Sequence, residues 1–423
     1  MIRSIAPVAS LLLGVAILLT GQGLQGVLLP VRATLESFSP FAVGLIGGAY
    51  FLGFTVGCWR GPRLIRRAGH VRVFAAMTAI ASAAPLLHGL WVNLWSWGLL
   101  RLVTGFCFAV LYVVIESWLN ERADDRDRGR VFSAYIFINM LGLAIGQQLL
   151  MLSAPGELSL FALTSVLISI AAVPLLMSTG EQPRAVEEST FDLAALYRNS
   201  PTGMLGSLTS GVANGAFWSL APVFTATAAY NVNLAAWFMT AAVLGGAVGQ
   251  WPFGWLSDRV DRRHVLIGLC AAGAGLGLLL WLLADQSSVP LLLAASFAWG
   301  ATAFPVYTIS VAQANDRADP ETFVMISSGL LLMFGMGAII GPLLASALMG
   351  ALGGGALFLF TGLAHAALAL FVTARRRTQD APPESEQTEF GDALASALTA
   401  SHVFEEELER EILEGEPAAE ENH

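Results

Sequence analysis

Long apolar stretches alternate along the chain with short polar or arginine-bearing breaks, and the stretches have the length that a bilayer demands. A hydrocarbon core about 30 Å thick is crossed by roughly 20 apolar residues in helical form. Cutting the sequence at its breaks predicts spans near 8–30, 41–60, 71–92, 94–116, 130–152 and 158–179. A polar, charged stretch follows from Gly180 to Ser200, and then six further spans near 202–226, 234–256, 265–284, 289–312, 322–347 and 351–374. The expected fold class is an all-α polytopic membrane protein with 12 transmembrane helices in two pseudo-symmetric six-helix bundles. Residues 1–179 form the first bundle, 180–200 a linker, 201–377 the second bundle and 378–423 an acidic tail. The first run exceeds a signal-peptide core and lacks a small-residue cleavage site, so it is expected to remain as the first span.

The two halves resemble each other. Tyr112 to Gly146 aligns without gaps on Tyr307 to Gly341 at a constant offset of 195 residues, pairing Tyr112 with Tyr307 and Gly142-x-x-x-Gly146 with Gly337-x-x-x-Gly341. Between these lie Asn120-Glu-Arg122-Ala-Asp124 and Asn315-Asp-Arg317-Ala-Asp319. Six spans separate the copies, so both have the same orientation in the membrane, as in parallel repeats with a path between them.

Composition narrows the function. The 423 residues are 55% hydrophobic and 13% charged, with a mean hydropathy of +0.66, which leaves no room for a sizeable soluble domain. All 22 basic residues are Arg, so the phosphate-gripping Lys of a P-loop is missing and pumping must draw on a gradient. The net charge of −9 owes much to acids in the tail from Asp380 onward, and nucleic acid is not an expected partner. The three Cys and six His show no ligand spacing, so no metal, cofactor or catalytic constellation is expected.

Arginine placement sets the orientation. Except for Arg32 in an opposite loop and Arg101 within a span, every Arg falls on one side of the predicted bilayer. By the positive-inside rule that side, with both termini, is cytoplasmic.

The sharpest motif joins the eighth and ninth spans: Gly249-Gln-Trp-Pro-Phe-Gly254-Trp-Leu-Ser-Asp258-Arg259-Val-Asp261-Arg262-Arg263. It resembles the cytoplasmic signature loop of the major facilitator superfamily, with Asp261 where the family has a second Gly. The corresponding first-half loop, Gly61 to His70, keeps bases and a Gly but lacks the family's Asp. The resemblance spans about residues 8–374. Trp95-Ser-Trp with Arg101, Val113-Val-Ile-Glu116-Ser, Arg128-Gly-Arg130 and Gly249-Gln-Trp-Pro look like its YcaD-like branch. It implies a cytoplasmic latch that rocking must break, assigned here to Gly254, Asp258, Arg259, Glu116, Arg67 and Arg130. Topology-setting by the positive-inside rule alone is the plainer reading of the bases.

Arg101 lies inside a span, where a charge is costly and usually faces a polar cavity. It resembles the family's fourth-helix Arg, which in relatives accompanies proton coupling; binding an anionic substrate group or pairing with helix carbonyls stays open. Gln22 and Gln25 are three apart, Asn214 and Trp218 four apart, so each pair shares a helix face. With Arg101, Tyr112, Asn139, Gln147, Trp299 and Tyr307 they could line a central cavity. Ordinary interhelix hydrogen bonding is the alternative.

The expected function is secondary active transport of a small molecule by alternating access, with proton-coupled export preferred to uptake symport. A transport-inactive sensor acting through its tail stays open. The expected partners are the lipid bilayer, a small-molecule substrate and protons. The expected state is a monomer in a bacterial inner membrane.

Overall fold

The computed structural model describes residues 8–122, 128–177, 192–227, 233–284, 288–318, 322–376 and Phe390. All regular structure among them is helical. The first six spans are α1 (Ala9–Leu35), α2 (Pro40–Ala68), α3 (His70–Leu90), α4 (Leu94–Arg122), α5 (Arg128–Gln148) and α6 (Leu158–Ile170, continued by Ala172–Leu176). A short helix, Leu193–Asn199, precedes the second six. These are α7 (Pro201–Thr227), α8 (Asn233–Ser257), α9 (Arg262–Leu282), α10 (Val289–Ala303, continued by Pro305–Asn315), α11 (Phe323–Leu352) and α12 (Ala356–Arg375).

Several helices outrun the apolar stretches that announced them. α2 continues past position 60 through Arg63, Arg66 and Arg67, and α4 continues to Arg122, because Arg is a good helix former. α6 is interrupted at Ala171, and α10 at Phe304, just before Pro305, which lacks the N–H that an unbroken helix would need. Ser39 caps α2 by accepting from the Ala42 N–H at 3.2 Å, and Pro40 occupies the first helical position. Gly69, at φ 82°, ends α2 and turns the chain into α3.

Eleven helices among the described residues are long and apolar enough to cross a bilayer. The twelfth, α7, has 27 residues but carries Ser207, Ser210, Asn214 and Ser219. It needs no lipid-compatible surface, because it runs through the middle of the molecule with most of its side chains buried.

The internal repeat is visible as packing. In the first bundle Gly142 and Gly146 of α5 lie against the backbone of α1 at Ala16 and Thr20; in the second, Gly337 and Gly341 of α11 lie against α7 at Leu208 and Val212. The glycines let the paired backbones approach closely.

Among the described residues, the apolar core that the two bundles share lies at one side of the membrane. At the arginine-poor ends one apolar core runs across both bundles, joining Leu24 and Val43 to Phe217 and Ala345. At the arginine-rich ends each bundle has cores of its own, one around Phe108 and Ile115, others around Ile309 and Ile326.

Candidate functional site

Where the shared core stops, a cavity of about 470 Å³ opens between the bundles. α1, α2, α4 and α5 line it from one bundle and α7, α8, α10 and α11 from the other. Its inner end lies at Gln22, Arg101 and Trp218, and its walls continue to Trp59, Pro62, Glu116 and Ser327 near the arginine-rich ends.

The inner end is sealed by contacts across the bundles. Gly44 of α2 packs on Pro342 and Ser346 of α11, and Gly47 on Ser219 of α7. On the other flank, Gln147 of α5 accepts from the Thr240 hydroxyl at 2.9 Å. Gln148 donates to that same hydroxyl at 2.6 Å and to the Ala236 carbonyl at 3.2 Å on α8. The molecule is closed on the arginine-poor side and open to the arginine-rich side.

A polar hub occupies the inner end. Gln22 donates to the Tyr50 hydroxyl at 3.0 Å and accepts from the Tyr112 hydroxyl at 2.8 Å, tying α1 to α2 and α4. The Arg101 guanidinium carbon lies 4.4 Å from the centroid of the Tyr50 ring. Among the described residues no carboxylate pairs with Arg101, and its Nε is buried without a hydrogen-bond partner. A cation held against a π face, with donors unused, leaves the inner end positive. Beyond the hub the walls are aromatic, with Trp218 stacked on Phe304 and Tyr307 packed on Phe334.

Of the residues expected at the cavity, Gln22, Arg101, Tyr112, Asn139, Gln147, Trp218 and Tyr307 line it. Asn139 donates to the Tyr135 carbonyl at 2.9 Å. Gln25, 1% exposed, is not in the lining, nor is Asn214, because three or four residues on a helix still separate two side chains by a large part of a quadrant. Trp299 is fully buried against Phe217 instead. Tyr50 was not singled out from the sequence; a tyrosine within an apolar run, whose hydroxyl needs a partner, was the available signal.

The signature loop builds a charge network, with a different arginine at its centre than expected. Arg262 Nε meets Asp316 Oδ2 at 2.8 Å, and its Nη1 lies 3.3 Å from Asp258 Oδ1 and 3.2 Å from the Ser257 hydroxyl. Arg259 turns outward, its guanidinium 4.0 Å from the Trp255 ring. Asp316 was missed, although it stands opposite Glu121 in the internal repeat. Asp261 caps α9 and grips Arg263 at 2.7 Å. Burial works to raise its carboxyl pKa, but the hydrogen bonds and charge of Arg263 outweigh that and hold it below the usual value.

In the first bundle Glu116 is 3% exposed at the arginine-rich end of the cavity, with the Tyr135 hydroxyl 3.4 Å away. Arg67 is exposed on the surface of α2, and the side chain of Arg130 lies outside the described residues. Gly254 lies beneath the ring of Phe390.

Comparison with known proteins agrees with this architecture. The Major Facilitator Superfamily model matches residues 11–228 and 203–411. The chain is 28% identical over 349 residues to the uncharacterized MFS-type transporter YcaD of Escherichia fergusonii, covering 81% of this chain and 89% of that one. It is also 28% identical, over 350 residues and with the same coverage, to YcaD of Salmonella newport. Among solved structures, the nucleoside transporter NupG superposes with a TM-score of 0.73 at 14% identity, over 88% of this chain and 100% of that one. A bacterial homologue of the human lysosomal transporter Spinster, in an inward-facing and occupied conformation, superposes at 0.69 with 15% identity, over 91% and 98%. At such identities these two likenesses speak to fold alone. The family match runs through both bundles and their signature loop, and the chain belongs to the Major Facilitator Superfamily.

Proposed function

We propose that the protein is an alternating-access secondary transporter for a small amphipathic molecule bearing an acidic group, moved out of the cytoplasm across a bacterial inner membrane. The observation that carries the substrate class is Arg101, a guanidinium without a carboxylate partner among the described residues, at the closed end of an aromatic-walled cavity. An acidic group meeting it there would gain a charge-assisted hydrogen bond in a site sheltered from water. The rings of Tyr50, Trp218 and Tyr307 would cover the apolar body of the substrate.

The arginine-rich side is assigned to the cytoplasm by the positive-inside rule, so the cavity faces the compartment from which an exported molecule would be loaded. Glu116, the acidic side chain in the cavity wall, is the group assigned to carry a counter-transported proton. Gln22, Arg101, Tyr112, Asn139, Trp218 and Tyr307 are the proposed substrate contacts. Asp258 and Arg262, with Gly254, form the proposed gate.

The test is flux in proteoliposomes with an imposed pH gradient, screened over a library of amphipathic acids, neutral compounds and cations. Gradient-driven transport confined to acids and lost in Arg101→Ala supports the reading. Transport of cations, or acid transport untouched by Arg101→Ala, refutes the substrate assignment. Absence of flux for every compound refutes transport by this chain alone.

A further inference from the structure

Phe390, from beyond the last span, is folded back onto the loop between α8 and α9. It is 7% exposed, and its ring occupies the space that a Cβ on Gly254 would need. Its backbone N–H donates to Oδ1 of Asp258 at 3.0 Å, the same oxygen that meets Arg262. One residue of the tail thus covers the glycine of the signature loop and takes up a lone pair of its aspartate.

The position of these two residues, Gly254 within α8 and Asp258 just past its end with its N–H still bonded to the Gly254 carbonyl, gives the contact its meaning. At the closed side, Ala236 and Thr240 of α8 touch Gln148 and Gln147 of α5. Gly254 follows Ala236 by 18 residues, and Asp258 follows Thr240 by the same number, which is about five full turns of helix. Both therefore continue the edge of α8 that already faces α5. When two bundles rock about a central site, closure at one side brings together the same helix pairs that are parted there in the open state. Closing the arginine-rich side requires α5 to approach the edge of α8 where Phe390 now lies.

We propose that Phe390 is an intramolecular wedge: docked on Gly254 and Asp258 it holds the cavity open to the arginine-rich side, and its withdrawal permits closure. The contact made by Phe390 is then autoinhibitory. The proposal rests on the alternating-access reading but not on the substrate, so its test reads conformation rather than flux.

Cys58 lies in the cavity wall, whereas Cys107 and Cys270 are buried. In a Cys107→Ala/Cys270→Ala background in nanodiscs, the reaction rate of Cys58 with a charged maleimide reports how much of the population is open. Phe390→Ala and truncation after Arg377 should each slow labelling by about threefold or more, as population leaves the open state. Phe390→Leu, which keeps an apolar side chain over Gly254, should label near the wild-type rate. An unchanged rate in Phe390→Ala overturns the wedge, as does a slowing by truncation that Phe390→Ala does not reproduce. These outcomes are independent of whether Arg101→Ala abolishes flux.

Discussion

Arg262 and Asp316 are 54 residues apart in sequence, yet their side chains meet at 2.8 Å with 1% and 2% of their surfaces exposed. The pair fastens the start of α9 to the end of α10 beneath the arginine-rich face. Removing one member of a buried pair strands the other charge, a loss of about 3–5 kcal/mol, whereas replacing both with apolar residues can be close to neutral. Arg262→Ala and Asp316→Ala should each lower the thermal midpoint sharply. Arg262→Met/Asp316→Leu should recover most of the loss, and the exposed Arg259→Ala should change little. Equal effects of Arg259→Ala and Arg262→Ala would refute the assignment of Arg262 to the centre of the network.

Arg101 presents the opposite case, a cation whose native environment offers it a ring face and no carboxylate among the described residues. Arg101→Leu should leave thermal stability unchanged or raise it, since an expensive burial is relieved. Loss of a charged hydrogen bond, about 1.5–3 kcal/mol, should weaken binding of an acidic substrate roughly ten- to hundredfold. Melting curves and equilibrium binding on the same preparations separate the two effects. A large drop in stability would make Arg101 a structural residue.

The paired glycines make a symmetric prediction. Gly146 of α5 and Gly341 of α11 lie directly against carbonyl oxygens of α1 and α7, at Thr20 and Val212. A side chain at either position must push a helix away, so Gly146→Leu and Gly341→Leu should each cost about 1–3 kcal/mol or more by overpacking. Gly268, where a Cβ would meet nothing within 4 Å, should accept Ala with little effect. Thermal unfolding in detergent reads all three.

Asp261 supplies a pH-dependent contribution. Its carboxylate caps α9 by accepting from the Arg263 N–H at 3.0 Å and pairs with that residue's guanidinium, so its folded pKa lies below its unfolded one. A depressed carboxyl pKa adds stability that is fully present above the unfolded value, about 3.9, and that is lost as pH falls through the folded value. Loss of the cap is worth ~1 kcal/mol. The stability advantage of wild type over Asp261→Ala should therefore be constant from pH 7 to pH 5 and shrink under stronger acid. An advantage that grows on acidification would contradict the capping role.

Much of the candidate site is legible in the sequence. Arg101 stood out because charges are rare within apolar spans, and Tyr112 and Tyr307 because they recur at one offset in both halves. Gln25 and Asn214 were misplaced because sequence spacing defines a shared face only to within a quadrant, whereas the wall of a cavity is narrower than that. Arg259 was preferred to Arg262 because the motif lists both and only packing decides which guanidinium is enclosed. Asp316 escaped because its partner is 54 residues away.

By itself the sequence determined the number and order of the spans, the two-bundle plan and the side on which arginines collect. Those properties follow from transfer of local segments into lipid and from one internal repeat, and neither depends on distant contacts. Only the tertiary structure decided which side of the molecule is closed, that Tyr50 rather than an acid faces Arg101, and that Phe390 lies over Gly254. Each of these is a contact between residues far apart in the chain, set by how whole helices pack, and no pattern of neighbouring residues encodes it.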